Sequence, residues 1–213
     1  VAPTSEQLVA VHVLTHEAGL HDIRSLIPDA RAMLDHDTIA AALAQAEPAY
    51  EPGTANGYHA LTDGALVDEL VRRTTGGTLA ELVRREIAEP LGLDGFAIGT
   101  STTSADAPAP PPPMGSLGSG ARRIGRAANV VTRIAPARLD LRAIAAAFIP
   151  HGGDVIGTPE FLASGNGSIG GVFTARDLAR FYAAFIATDG LGGVAPWSTD
   201  TVDRAATEQN DRR

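Results

Sequence analysis

Two residue types are absent from this sequence of 213 amino acids, which contains neither cysteine nor lysine. Without cysteine, disulfide bonds and thiolate chemistry are excluded, and cysteine usage does not identify the cellular compartment. Without lysine, all 17 basic residues are arginines. These residues alone therefore cannot complete a catalytic motif that needs a lysine amine.

Long apolar runs are also absent, so the sequence predicts no membrane span. It does not open with the basic and then apolar segments of a signal peptide, which leaves the compartment undetermined, with the cytoplasm favoured. The net charge of −8 argues against nucleic acid as a partner. The one basic tract, from Arg122 to Arg142, is predicted to be a solvated or internally paired face rather than an anion-binding surface. No pattern indicates an oligomeric state.

Apolar residues make up 44% of the sequence but aromatic residues only 5%, which predicts a core of helices packed through small and aliphatic side chains. Periodicity and capping residues predict helices over 5–17, from 37 to before Pro48, around 66–71, from Thr78 until Pro90 and Gly92 break it, over 139–148, over 175–187 and early in the tail. The first should be buried on almost all sides, and Phe96–Ile98 is a strand candidate. Residues 101–121, rich in Ser, Pro and Gly, are predicted to form an exposed, partly extended loop.

Several segments together resemble one family. Residues 13–20 (VLTHEAGL) resemble the LLTHxSGL element of class C β-lactamases, D-alanyl-D-alanine carboxypeptidases and related esterases. Residues 52–76 resemble the PGxxxxYSNxGYxLLGxIIExxTG block of the same families. A PLGL element at 90–93 follows, and residues 172–185 are similar to the helix that precedes the last active-site strands. The chain therefore resembles a β-lactamase-related serine hydrolase.

This resemblance implies an α/β (α+β) fold of the β-lactamase/transpeptidase type, in which an antiparallel sheet packs against a helical region. Residues 1–213 would form a single domain, incomplete at both ends, that holds mainly the helical region and few strands. The implied reaction is acyl transfer through an acyl-enzyme, on a small-molecule ester or, less favoured, an amide such as a β-lactam or a D-Ala peptide. No metal and no organic cofactor are implied.

The resemblance assigns one catalytic residue, Tyr58, which matches the tyrosine of the family's Tyr-x-Asn motif. In relatives this tyrosine helps to deprotonate the serine nucleophile or to protonate the leaving group. A phenol titrates near ~10, so it acts as a base at neutral pH only where nearby cations favour the phenolate. Ala60 stands where the family has asparagine, which favours ester over amide or β-lactam substrates. The alternative is that Tyr58 is a buried aromatic residue that anchors the turn.

The remaining catalytic motifs are not found. Without lysine there is no Ser-x-x-Lys, and no Lys-Thr-Gly or His-x-Gly strand follows the helix at 175–187. The match at His151–Gly153 precedes that helix and is predicted to be a loop. We therefore expect this chain alone to be inactive. Two alternatives stay open: a truncated or degenerate non-catalytic homologue, and a helical interaction module unrelated to hydrolases.

Two further candidate sites fail on spacing. Ser168 lies in Asn-Gly-Ser-Ile-Gly, which lacks the first glycine of a G-x-S-x-G nucleophile elbow, so a glycine-rich turn is predicted. His12, His16 and His21 do not match the H-E-x-x-H zinc pattern, and Gly19 should stop the helix between them. A structural role for these histidines is favoured.

Overall fold

The structure is a computed structural model that describes residues 9–100, 149, 152–187 and 190–209. The predicted loop at 101–121, the predicted helix at 139–148, the basic tract and His151 lie outside the described residues. The α-helices are α1 (Ala10–Leu14), α2 (Ile23–Leu26), α3 (His36–Gln45), α4 (Asp63–Thr75), α5 (Leu79–Val83), α6 (Glu89–Leu91), α7 (Pro159–Ala163), α8 (Ala175–Ile186) and α9 (Thr199–Ala206). Short 3₁₀ turns occupy Ala30–Leu34 and Gly152–Asp154.

The predicted helices α3, α4 and α8 are confirmed, together with the capping residues that set their ends. Gly76 closes α4 in the left-handed conformation, with a φ of 77°, which glycine adopts without steric cost. Thr78 and Glu81 form a capping box at the start of α5, and the Thr174 side chain accepts a hydrogen bond from the backbone N–H of Asp177 to start α8. The Thr78 and Thr174 caps each satisfy a donor that the first helical turn leaves unpaired.

One expectation about helices is wrong. Helix α1 ends at Leu14 rather than at position 17, and it is not buried, since Leu14 is 66% exposed and only Val13 of its residues is buried. The break expected at Pro90 and Gly92 lies at Gly92. The chain passes from α5 through a π-helical turn, Arg84–Ala88, into α6, where Pro90 lies in the first turn. The helix ends at Gly92, whose φ is 61°.

The predicted strand Phe96–Ile98 forms β1, and it pairs antiparallel with β2 (Gly171–Phe173), which the sequence did not predict. Phe96 lies opposite Phe173, and their ring centroids are 4.4 Å apart. Within the described ranges this is a sheet of two strands, so the described part of the chain is mainly helical, as expected. No helix in those ranges combines the length and apolar character needed to cross a bilayer.

The described core has two parts. The larger one packs α2, α3 and the start of α4 against Phe161 of α7, which is fully buried. The smaller one gathers Leu91, Leu93, Phe96 and Ala184 between the α6 region, β1 and α8. Ala60 and Leu61, which come just before α4, belong to the larger part. The chain segment next to Tyr58 is therefore fixed by core packing.

The start of α4 is held by the turn that contains Ser168. The Ser168 hydroxyl donates to the Leu61 carbonyl at 3.2 Å and accepts from the Gly64 N–H at 2.8 Å. This confirms Ser168 as a residue of a glycine-rich turn with a structural hydroxyl. Its backbone lies so close that a Cβ built on Gly64 would be 2.0 Å from the Ser168 nitrogen. Only glycine fits at this contact.

We expect Gly64→Ala to lower the free energy of unfolding by about 1–3 kcal/mol, because the added methyl meets backbone that cannot move aside. Gly77→Ala, just beyond the other end of α4, is the matched control. There the nearest atom is the flexible Glu81 carboxylate at 3.0 Å, so the change should stay within about 1 kcal/mol. Urea unfolding of both variants measures the difference. Equal midpoints would show that the Gly64 contact does not constrain the fold.

Candidate active site

The element that resembles LLTHxSGL forms a sharp turn after α1. His16 has a φ of 60°, the only positive φ of a non-glycine residue in the described ranges. Histidine tolerates this left-handed conformation better than most residues, but it still costs on the order of 1–2 kcal/mol. The turn reverses the chain and points successive backbone carbonyls in one direction.

Three carbonyls of this turn bind the loop that leads to Tyr58. The Thr15 carbonyl accepts from the Asn56 amide at 2.9 Å. The carbonyls of His16 and Glu17 accept from the backbone N–H groups of Gly57 and Gly53, both at 3.0 Å. The two segments that carry the family resemblance are thus joined directly, although 31 residues separate them in sequence.

Tyr58 lies at the end of the loop that these three carbonyls bind. Its side chain is 58% exposed, whereas the next residue, His59, is only 1% exposed. The Tyr58 ring contacts His16 edge-on, with a centroid distance of 5.2 Å. The alternative in which Tyr58 is a buried anchor of the turn is therefore wrong. The phenol is open to a reacting group from outside the described residues, and its catalytic role stays a prediction.

A cluster of histidines lies beneath Tyr58, and sequence reasoning did not find it. His16 stacks on His59 with centroids 5.6 Å apart, and His21 contacts the edge of His59 at 5.8 Å. His21 also stacks on Tyr50 at 5.9 Å. The sequence offered a weak signal, since His16, His21 and His59 all fall inside the two family-like blocks. Their contact across the fold is a tertiary feature that spacing does not reveal.

His59 anchors the cluster in its neutral form. Its Nε2 accepts a hydrogen bond from the Leu20 N–H at 3.0 Å, so the neutral ring carries its proton on Nδ1. Burial lowers the pKa of His59 to about 4, because taking the charged ring out of water is unfavourable. At neutral pH this ring is an uncharged platform.

Gly57 allows the cluster to pack closely. A Cβ at this position would lie 2.7 Å from His21 Nδ1 and 2.8 Å from the Tyr50 hydroxyl oxygen. The Tyr50 hydroxyl itself donates to the His16 carbonyl through a long hydrogen bond of 3.4 Å. Burial raises the pKa of Tyr50, which keeps this phenol protonated and makes it unsuited to be a base. Tyr50 and Tyr58, eight residues apart, therefore differ in environment and chemistry.

The residues that follow His59 are buried. Ala60 is 7% exposed and packs in the larger core, so the third position of the Tyr-x-Asn motif contributes packing here. Thr62 Oγ1 and Asp63 Oδ1 are buried without a hydrogen-bond partner in the described part of the chain, as is His16 Nδ1. Burial raises the pKa of Asp63, and the charge of His16 opposes that shift. A polar layer thus separates the exposed phenol from the apolar core.

A second polar cluster lies on the other side of α4. Asp68 accepts from Arg72 Nε at 2.8 Å and from the Leu79 N–H at 2.6 Å, and it lies 3.1 Å from His36 Nδ1. Asp68 is buried, and these contacts join three helices, α3, α4 and α5. The adjoining cavity measures about 20 Å³, room for roughly one water molecule.

Two other candidate sites from the sequence are the histidines considered for metal binding and the segment at 151–153. The described residues contain no cluster of three His, Cys, Asp or Glu side chains arranged for a metal ion. Gly152–Asp154 forms a short 3₁₀ turn rather than a strand, so the predicted non-strand conformation there is confirmed for these residues.

Comparison with known proteins gives a consistent result. The family model described as Beta-lactamase matches residues 6–211. The esterase/beta-lactamase LipL of Mycobacterium tuberculosis is 33% identical over 194 residues, covering 89% of this chain and 43% of LipL. A penicillin-binding protein homologue from Caulobacter crescentus superposes with a TM-score of 0.69 at 26% identity, over 93% of this chain and 48% of that protein.

Two esterase structures are also similar. A family VIII carboxylesterase has a TM-score of 0.67 at 25% identity, over 94% of this chain and 49% of that one. EstA from Arthrobacter nitroguajacolicus has a TM-score of 0.60 at 29% identity, over 91% of this chain and 48% of EstA. The chain therefore spans about half the length of these relatives. The predicted β-lactamase/transpeptidase-like fold is confirmed, and a helical module unrelated to hydrolases is excluded.

The buried His59 makes stability depend on pH. Its pKa is about 4 in the folded chain, whereas a histidine in an unfolded chain titrates near ~6.5. Between these values the unfolded chain binds a proton that the folded chain does not. The free energy of unfolding should therefore fall as the pH falls through this window, by up to roughly 3 kcal/mol.

His59→Gln tests this prediction, because a glutamine oxygen can accept the Leu20 hydrogen bond but cannot be protonated. Asp63 acts in the opposite direction, since its raised pKa adds stability as the pH falls, but it is present in both proteins. Urea unfolding at several pH values from 7 to 4 should show a steeper loss in the parent chain than in the variant. Parallel curves would mean that His59 takes up its proton without unfolding.

Proposed function

Since this chain belongs to the Beta-lactamase family, we propose that it forms the tyrosine-bearing part of a serine hydrolase that cleaves carboxylic esters through an acyl-enzyme. The observation that supports this most strongly is the position of Tyr58. Its phenol is exposed at the end of a loop that three turn carbonyls hold in place. An exposed and fixed phenol is what proton transfer to an incoming group requires.

The proposed chemistry proceeds in two halves. A serine oxygen attacks the ester carbonyl carbon, and the Tyr58 phenolate takes the serine proton. When the tetrahedral intermediate collapses, the ester C–O bond breaks and Tyr58 returns the proton to the departing alkoxide. A water molecule then attacks the acyl-enzyme, Tyr58 again takes and returns one proton, and the carboxylic acid leaves with the serine restored.

These residues cannot supply the cation that such a phenolate needs. The sequence has no lysine, so the amine of a Ser-x-x-Lys element would have to come from residues outside these 213. His59, the deepest ring of the histidine cluster, does not replace it, because burial keeps this ring neutral at pH 7. The proposed site is therefore complete only when a serine and an amine are brought to Tyr58.

Esters are favoured over amides for two reasons. LipL carries esterase in its name, and a solved relative is a family VIII carboxylesterase. The side chain of Ala60 also lacks the amide group of asparagine, and it packs in the core. A substrate amide would find no hydrogen-bonding partner at that position. We therefore propose small-molecule esters as substrates, ahead of β-lactams and D-Ala peptides.

We expect the 213-residue chain alone to be inactive, as a non-catalytic piece of the proposed site. Incubation with p-nitrophenyl butyrate should give no saturable turnover above buffer, and a fluorophosphonate probe should label no serine. The reason is that covalent catalysis needs a serine activated by a neighbouring base. Saturable turnover together with labelling of a single serine would overturn this expectation.

In the protein that joins these residues to a Ser-x-x-Lys segment, we expect Tyr58→Phe to lower kcat by about 10²–10⁴-fold, the usual contribution of a general base. KM should change little, because the ring is retained. Tyr182→Phe is the matched control, since Tyr182 is also 58% exposed but lies on α8. Equal kcat values for the two variants would remove Tyr58 from the mechanism.

A further inference from the structure

We propose that His16 is a positioning residue for Tyr58: its ring, wedged between the tyrosine and His59, sets the direction in which the phenol points. This inference rests on the proposed function, which assigns the phenol its chemistry. Neither the family match nor the relatives' names assign a role to His16. The contacts that carry the inference are those of its ring and those of its backbone.

The ring contacts form a continuous column from the surface to the core. Tyr58 at the top is 58% exposed, and His59 at the bottom is 1% exposed. His16 lies between them, edge-on to Tyr58 at 5.2 Å and stacked on His59 at 5.6 Å. An exposed tyrosine on a loop would otherwise sample several rotamers. The His16 ring removes that freedom on one side.

The backbone of His16 is itself held rigidly. Its carbonyl accepts the Gly57 N–H at 3.0 Å, one residue before Tyr58. The ring of His16 therefore contacts the Tyr58 side chain, and its backbone binds Gly57, the residue before the tyrosine. Through these two contacts, His16 can fix both the position of the Tyr58 backbone and the direction of its phenol.

The bottom of the column is also fixed. His59 is anchored by the Leu20 N–H, and His21 contacts its edge at 5.8 Å. Burial lowers the pKa of His59 to about 4, so the ring on which His16 stacks is uncharged at neutral pH. The other titratable groups set against His16 are Tyr58, whose ring it contacts, and Asp63.

Two substitutions distinguish the effect of the His16 ring from the effect of its backbone conformation. Asparagine tolerates a positive φ but has no ring, so His16→Asn should fold while releasing Tyr58. Phenylalanine keeps a ring but is disfavoured at positive φ, so His16→Phe should retain the orientation of Tyr58 at a lower urea midpoint. The two variants have opposite expected effects on stability and on tyrosine order, which a purely structural role of His16 would not produce.

Tyrosine order can be read directly, because the chain has three tyrosines. With ring-¹³C tyrosine, the parent chain should show NOEs between the Tyr58 and His16 rings and a restricted Tyr58 ring. His16→Asn should abolish these NOEs and raise the Tyr58 ring mobility to that of an unrestrained side chain. Tyr182 is the internal control and should not change. Unchanged Tyr58 relaxation in a folded His16→Asn chain would overturn the proposal.

Kinetics separate this proposal from the function on which it rests. In the protein completed by a Ser-x-x-Lys segment, His16→Asn should lower kcat by about 10- to 100-fold, the effect of a misplaced catalytic group, with KM nearly constant. His16→Phe should recover most of that loss. If Tyr58→Phe is inactive but His16→Asn retains full kcat, only the positioning role fails. If Tyr58→Phe itself retains full kcat, the proposed function fails.

Discussion

The described structure around Tyr58 depends on one strained turn. His16 takes up a left-handed backbone conformation so that the carbonyls of Thr15, His16 and Glu17 can bind the loop at 53–57. Each such hydrogen bond contributes about 0.5–1.5 kcal/mol net, so three together outweigh a strain of roughly 1–2 kcal/mol. These hydrogen bonds fix the conformation of the loop at 53–57. The positions of Tyr58, His59 and the start of α4, which follow the loop, depend on that conformation.

The sequence predicted the parts of the fold that local physics controls. Helices α4 and α8 carry a clear apolar stripe. Their ends follow from local residue types: Gly76 ends α4, and the side chains of Thr78 and Thr174 start α5 and α8. Errors arose where tertiary contacts decide. Leu14 is apolar yet exposed. Asp68 is charged yet buried, because His36 and Leu79 approach it from α3 and α5.

The same distinction holds for the candidate site. Family-like spacing pointed to Tyr58, and the structure leaves its phenol accessible. The histidine column beneath it was invisible to sequence reasoning, because His16, His21 and His59 approach each other only through the turn and the loop. Ring stacking between residues that lie far apart in the chain leaves no pattern in the sequence. Gly57 could be recognised as necessary only once its distance to His21 was known.

The account's central claim is that the phenol of Tyr58 meets a serine brought from outside these residues. The most direct measurement is a crystal structure of the completed protein after reaction with a fluorophosphonate ester, which leaves a phosphonylated serine in place of the tetrahedral intermediate. We expect the Tyr58 hydroxyl oxygen to lie within hydrogen-bond reach of that serine oxygen, at about 2.6–3.2 Å, with the His16 ring still against the tyrosine. A phosphonylated serine with Tyr58 turned away from it into solvent would contradict the account.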